Sequence, residues 1–227
     1  DDNIGRLMDY LKASGLEENT IVVFTSDHGE LMGAHGFRGK SRAYTEAANI
    51  PMIMRWPGRI PAGLQTDYLH SSVDHLPTLC AMAGIAVPES VDGVDVSAVW
   101  QGNPVPRNSV LLANYSAGSR VGKFITDYDG TLSDPKEWRA VKTERYTYVQ
   151  YIDGREELFD NIVDPYQINN LMQDTSLNAT VLEMVRNELD EKLQASHDAL
   201  YPGDHYDDWY ADEYNMHLVK TAIFDKK

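Results

Sequence analysis

The sequence predicts an α/β fold: a mixed or parallel sheet with helices, followed by a small antiparallel sheet packed with one long helix. Three observations carry this. A continuous β-branched and aromatic run, Thr20-Ile-Val-Val-Phe-Thr25, follows a helical pattern, as a strand buried on both faces of a parallel sheet does. After Pro104 the chain turns to short strand-like segments with a hairpin signal at Asp153-Gly154. Last, Val181, Leu182, Val185, Leu189 and Leu193 recur at helical spacing within 177–197.

In chain order, Asp2 or Asn3 can cap a first helix whose apolar face is Ile4, Leu7, Met8 and Leu11, with Gly15 as its stop. The strand at 20–25 runs straight into Ser26-Asp27-His28-Gly29. A second candidate strand, Met52–Trp56, closes at Pro57-Gly58. Ser72 or Asp74 can cap a helix with Pro77 in its first turn, running to Gly84. Asp95–Trp100 forms a short helix. Further strands are expected at Val110–Ala113, Lys123–Thr126, Trp138–Lys142, Tyr146–Ile152 and Leu158–Phe159. The division is then 1–103, 104–199 and a tail, 200–227, whose Tyr201, Tyr206, Trp209, Tyr210 and Tyr214 are too aromatic for a simple linker. The tail is expected to pack on the domain or to join copies into a homo-oligomer.

Composition is ordinary for a globular chain, with 42% hydrophobic and 24% charged residues. No apolar run approaches the roughly 18 residues of a membrane span. The chain opens on Asp1 without a basic-then-apolar leader, which reads as a fragment or a processed product. A single cysteine, Cys80, excludes an internal disulfide and any multi-thiolate metal site. The net charge of -15 disfavours nucleic acid as a partner. Locally the balance reverses, because Arg38, Lys40, Arg42, Arg55 and Arg59 face one acid, Glu46, between His35 and Ile60. The sequons Asn114-Tyr-Ser116 and Asn178-Ala-Thr180 are read as chance occurrences.

The chemistry concentrates where the first strand ends. Ligands of open α/β sheets bind beyond the carboxyl ends of strands, and Asp27 and His28 stand there. A carboxylate oxygen beside an imidazole nitrogen can hold one divalent metal. The bland alternative makes Asp27 a helix cap and His28 a loop histidine. Gly29 lets the chain turn and a substrate approach. Downstream, Gly33-Ala-His35-Gly36-Phe-Arg-Gly39-Lys40 is a glycine-rich loop. Lys40 suits a tetrahedral oxyanion, or is a surface lysine. His35 can touch substrate or pin the loop. No G-x-S-x-G elbow, H-E-x-x-H or phosphate-cradling loop occurs. His28 with His35, and His70 with His75, are spaced wrongly for a one-turn zinc pair. For Asp74-His75, capping is the better account.

The run TSDHGELMGAHGFRGKSRAYTEAANIPMIMRWPG resembles the sulfatase family of the alkaline phosphatase superfamily. VDHLPTLCAMAGIAVPESVDGVDV and WRAVKTERYTYVQYIDGREELFDNIVDPYQINNL are similar to later segments of the same family, in the same order. The resemblance implies an alkaline phosphatase-like fold, of which this chain holds the C-terminal portion. It implies that Asp27 and His28 are one pair of metal ligands and that Lys40 binds the sulfate or leaving-group oxygen. It implies a divalent metal, calcium, with manganese or another transition metal favoured by the His28 nitrogen. Histidine at that position resembles the branch of iduronate-2-sulfatases, choline sulfatases and phosphonate monoester hydrolases. The family's formylglycine nucleophile, made within a C/S-x-P-x-R motif, and its first Asp pair have no match here; both are expected upstream, in an N-terminal half. The implied partners are that half and a sulfated small molecule or carbohydrate, and the implied compartment is periplasmic, extracellular or lysosomal. The activity implied is sulfate ester hydrolysis, with this chain inactive alone. Phosphonate or phosphodiester hydrolysis is one alternative, and a non-catalytic binding module another.

Overall fold

The computed structural model describes residues 1–103, 105–115 and 137–201. The expected strand at Lys123–Thr126 and the tail aromatics from Tyr206 to Tyr214 lie outside the described residues. The chain divides into two compact units, Asp1–His28 with Asn49–Asn108, and Gly29–Ala48 with the chain from Ser109 onward. Among the described residues no helix is long and apolar enough to cross a membrane.

In the first unit, α1 spans Asp2–Ala13. It begins one residue earlier than the sequence suggested, so Asp2 lies in the first turn, where its charge favours the helix dipole. Gly15 ends it as expected, at φ +71°, with the Leu16 N–H reaching back to the Leu11 carbonyl at 3.0 Å. Strand β1, Val22–Thr25, pairs antiparallel with β2, Met52–Arg55, in a register that sets Val22 opposite Arg55 and Thr25 opposite Met52. Within this chain by itself the burial expected on both faces of β1 is not complete. Among the described residues β1 has one strand neighbour, and Phe24 and Ile53 are 46% and 61% exposed. An apolar run reports strand propensity; burial needs a second neighbour and covering layers.

A helical turn at Ser72–Asp74 leads into α3, His75–Ala83, which stops at Gly84 with φ +69° (α2 is the short turn Thr45–Ala48). Asp74, one of the two caps the sequence offered, stands at the N-cap position of α3 without a side-chain cap bond, and Ser71 rather than Ser72 caps the turn before it. The Ser71 side chain takes the Asp74 N–H while the Asp74 carboxylate takes the Ser71 N–H at 2.9 Å. Asp74 also accepts the Val94 N–H at 3.0 Å and pairs with the Arg107 guanidinium. The short helix α4, Ser97–Trp100, follows, with Asp95 accepting the Ser97 N–H at 2.8 Å.

The second unit is built on a four-stranded antiparallel sheet in the order β3 (Ser109–Asn114), β4 (Trp138–Thr143), β5 (Tyr146–Tyr151), β6 (Glu156–Asp160). The Asp153-Gly154 turn joins β5 to β6, with Gly154 at φ +85°. Alternation along β4 and β5 divides the side chains between the two faces. On one face Val141, Tyr148 and Leu158 meet Val185, Leu189 and Leu193 of α5, Ala179–Ala195. On the other, Trp138, Ala140, Val149 and Tyr151 pack with Ala43 from the 29–48 segment. Asn178 caps α5 by accepting the Thr180 N–H at 2.9 Å.

Candidate functional site

The strand β1 ends at Thr25, and no helix begins directly after Asp27, so Asp27 caps none. Local hydrogen bonds shape the turn instead. The Ser26 hydroxyl donates to the His28 carbonyl at 2.7 Å, and the His28 N–H donates to Asp27 Oδ1 at 3.0 Å. This brings Asp27 Oδ2 within 3.1 Å of His28 Nε2. The Asp27 side chain is 83% exposed and that of His28 34%.

Two ligands of a common cation, each about 2.0–2.5 Å from it, lie about 3 Å apart. The Asp27–His28 separation therefore fits one divalent ion held between a carboxylate oxygen and an imidazole nitrogen. Among the described residues no group of three or more His, Cys, Asp or Glu side chains is arranged to hold a metal. The pair can thus contribute two ligands to a shell that needs others.

Gly29 is required for a reason the sequence did not suggest. Its N–H donates to the Ala47 carbonyl at 2.8 Å, and the Glu30 N–H donates to the Glu46 carbonyl at 3.0 Å. A Cβ on Gly29 would lie 1.9 Å from the Glu46 oxygen. The backbone approaching Gly29 is thus the chain's own.

His35 sits at φ +55° with its ring stacked on Tyr44 at 3.7 Å, nearly parallel. Its Nε2 lies 3.5 Å from a Glu46 carboxylate oxygen, and its side chain is 8% exposed. These contacts tie the His35 ring to Tyr44 and set it beside Glu46. Burial, with Glu157 nearby, pushes the Tyr44 hydroxyl up to about 12, so that it stays neutral. Lys40 is exposed, just after Gly39, whose N–H is taken by the Glu30 carboxylate and whose carbonyl accepts the Leu31 N–H at 2.9 Å.

Several members of the basic cluster seen in the sequence have partners of their own. Arg55 pairs with Glu17, Arg59 lies over Trp56 and Arg42 lies 3.8 Å over the Phe37 ring.

The sequence model of the family described as Sulfatase matches residues 1–85. An ulvan-active sulfatase of Formosa agariphila is 36% identical over 228 residues, covering 97% of this chain and 41% of that protein. These matches place the chain in the sulfatase family. The structure of a protein in complex with its substrate, D-glucosamine-2-N,6-O-disulfate, superposes with a TM-score of 0.77 at 26% identity, over 89% of this chain and 39% of that one. Phosphonate monoester hydrolase of Agrobacterium radiobacter gives a TM-score of 0.71 at 26% identity, over 84% and 38%. The sulfatase-family chain spans about two-fifths of the length of these relatives and corresponds to their C-terminal part.

Two further features of this family member escaped the sequence. His70 and His75, too widely spaced for one helical turn, bring their rings within 4.9 Å, with Trp100 against His70. Burial, then His75, lowers the His70 imidazole to about 4 and keeps it neutral. His70 and Trp100 also line a cavity of about 1130 Å3 beside β2, which none of Asp27, His28, His35 or Lys40 borders. Finally, the Trp138 indole N–H donates to the Ser41 carbonyl at 3.0 Å, and the Thr45 N–H donates to Gln167 Oε1 at 2.7 Å. No local signal marks partners so distant in sequence.

Proposed function

We propose that the full-length protein hydrolyses sulfate esters, with a sulfated carbohydrate as substrate class. The observation that carries this is the convergence of Asp27 and His28 at the end of β1, in a chain matching sulfatases over 97% of its length. The structure bound to a disulfated glucosamine supports the substrate class.

In this reading Asp27 and His28 hold a divalent cation, calcium in the first instance and manganese in the second. A bound cation supplies Lewis-acid polarisation of the ester. The Lys40 ammonium lies against the sulfate oxygens or the departing alkoxide and stabilises the charge that grows there as the S–O bond breaks. The formylglycine nucleophile and the remaining ligands are proposed to come from an N-terminal half. Cys80 is no candidate nucleophile, because it lies within α3 and no C/S-x-P-x-R motif surrounds it. The 227-residue chain alone is accordingly expected to be inactive.

A second reading, phosphonate or phosphodiester hydrolysis, is favoured by the likeness to phosphonate monoester hydrolase. Sulfate and phosphonate centres are both tetrahedral, so Lys40 and the ligand pair serve either. Parallel turnover of the full-length protein on sulfate esters and phosphonate monoesters separates the two. Faster sulfate turnover supports the proposal; a preference for the phosphonate favours the second reading. Metal analysis of Asp27→Asn and His28→Ala is expected to show lost cation. Full metal content in both variants contradicts the ligand assignment.

A further inference from the structure

The segment that carries Lys40 is tied to the C-terminal sheet on the side that α5 does not cover. Inside the segment, Glu30 and Leu31 hold Gly39 through its N–H and carbonyl. This fixes the peptide before Lys40. The carbonyl of the next residue, Ser41, accepts the indole N–H of Trp138 at 3.0 Å. Trp138 opens β4, is 5% exposed and packs with Ala140, Val149, Tyr151 and Ala43. Four residues beyond Ser41 a second tie follows. Gln167, 2% exposed and held at φ +54°, accepts the Thr45 N–H and donates to Asn161 Oδ1 at 3.0 Å. Between the two ties, the Tyr44 ring lies against Phe159 of β6 at 5.8 Å.

A buried indole needs an acceptor, and β4 has many carbonyls. Here the acceptor is instead a carbonyl in the loop, next to the cationic side chain that the proposed function uses. We infer that Trp138, with Gln167 as its second anchor, is a positioning residue for Lys40: the C-terminal sheet sets where the ammonium stands. The inference rests on the proposed role of Lys40. It assigns to the sheet a part in turnover that needs no contact with substrate. Small displacements of a catalytic group are costly, since about 1 Å of misplacement can lower rates about a hundredfold.

The test is a double-mutant cycle in the full-length protein. Trp138→Phe keeps an aromatic ring in the packed site and deletes the donor. It is expected to lower kcat between about tenfold and a hundredfold, with circular dichroism and melting temperature close to the parent. In a Lys40→Ala background the same change is expected to cost almost nothing further, because there is no ammonium left to misplace. A purely structural role predicts the same fractional loss in both backgrounds, and that result overturns the inference. So does parental kcat in Trp138→Phe beside a damaged Lys40→Ala. Near-parental turnover in Lys40→Ala itself instead overturns the proposed role of Lys40. Gln167→Met, which removes the acceptor at similar volume, runs through the same cycle if Trp138→Phe does not fold, with the same outcomes deciding.

Discussion

The two units of this chain differ in how far they complete their own interiors. In the second, α5 closes one face of a four-stranded sheet, and Tyr148, Leu158, Val185 and Leu189 are fully buried. In the first, two short strands pair, while Phe24, Ile53, Leu76 and Ile85 stay exposed. The candidate site residues fall on both sides of this contrast. Asp27 and His28 end a strand of the sparsely packed unit, held by bonds within one turn. Lys40 rides on a segment bonded into the well-packed unit. Chemistry can thus be set by near neighbours in one place and by distant packing in another.

The largest stability effect should come from the interior of the second unit. Arg139 and Asp198 form an ion pair that is almost wholly buried, with Tyr115 stacked 3.7 Å over the guanidinium. Asp198→Ala would leave the arginine's charge buried without that carboxylate, with the Asn114, Trp138 and Tyr201 carbonyls still accepting from it. A loss of about 3–5 kcal/mol is expected in denaturant unfolding. A loss under about 1 kcal/mol would mean that water or another group already serves the arginine.

Next, Leu189→Ala empties the centre of the α5–sheet contact and should cost about 2–5 kcal/mol. The exposed Ile53, changed to Ala in the same 227-residue chain, should cost well under about 1 kcal/mol. Equal losses would erase the difference between the units.

Smaller still, Ser71→Ala removes one half of the capping box before α3 and should cost about 1 kcal/mol. The Asp74 half remains. Burial works to raise that carboxyl, but the Arg107 guanidinium and the Val94 and Ser71 N–H groups outweigh it and hold it low.

The smallest effect is a pH dependence in the first unit. The His70 imidazole, lowered from 6.5 to about 4, binds its proton more weakly folded than unfolded. Its stabilising contribution is therefore complete above pH 6.5 and is lost as the pH falls towards 4. His75, Asp74 and Arg107 act on the same ring. Melting temperatures of the parent and His70→Phe between these limits should converge as the pH drops. Parallel curves would show that His70 is not the group responsible.

Much of the fold was legible because periodicity survives in a single sequence. The 3.6-residue pattern of Leu7, Leu11 and of Val185, Leu189 marks α1 and α5, and Asp153-Gly154 marks the turn between β5 and β6. The neighbours of β1 were not legible, since an apolar run carries no record of what flanks it. Asp27 and His28 were readable as adjacent donors beyond a strand, though not the Ser26 bond that folds them together. The setting of Lys40 was hidden altogether. Its anchors, Trp138 and Gln167, lie 97 and 122 residues from Ser41 and Thr45. Gly29 shows the same limit: glycine was expected to make room for a ligand, and the Glu46 carbonyl occupies that room.

The central claim is that Lys40 acts on the sulfate group or the oxygen it leaves. The most direct measurement is kcat of Lys40→Ala against the parent in the full-length, metal-loaded protein with a sulfated sugar. A fall of about a hundredfold to a thousandfold, with an unchanged melting temperature, is the predicted result. Turnover within about twofold of the parent would contradict it.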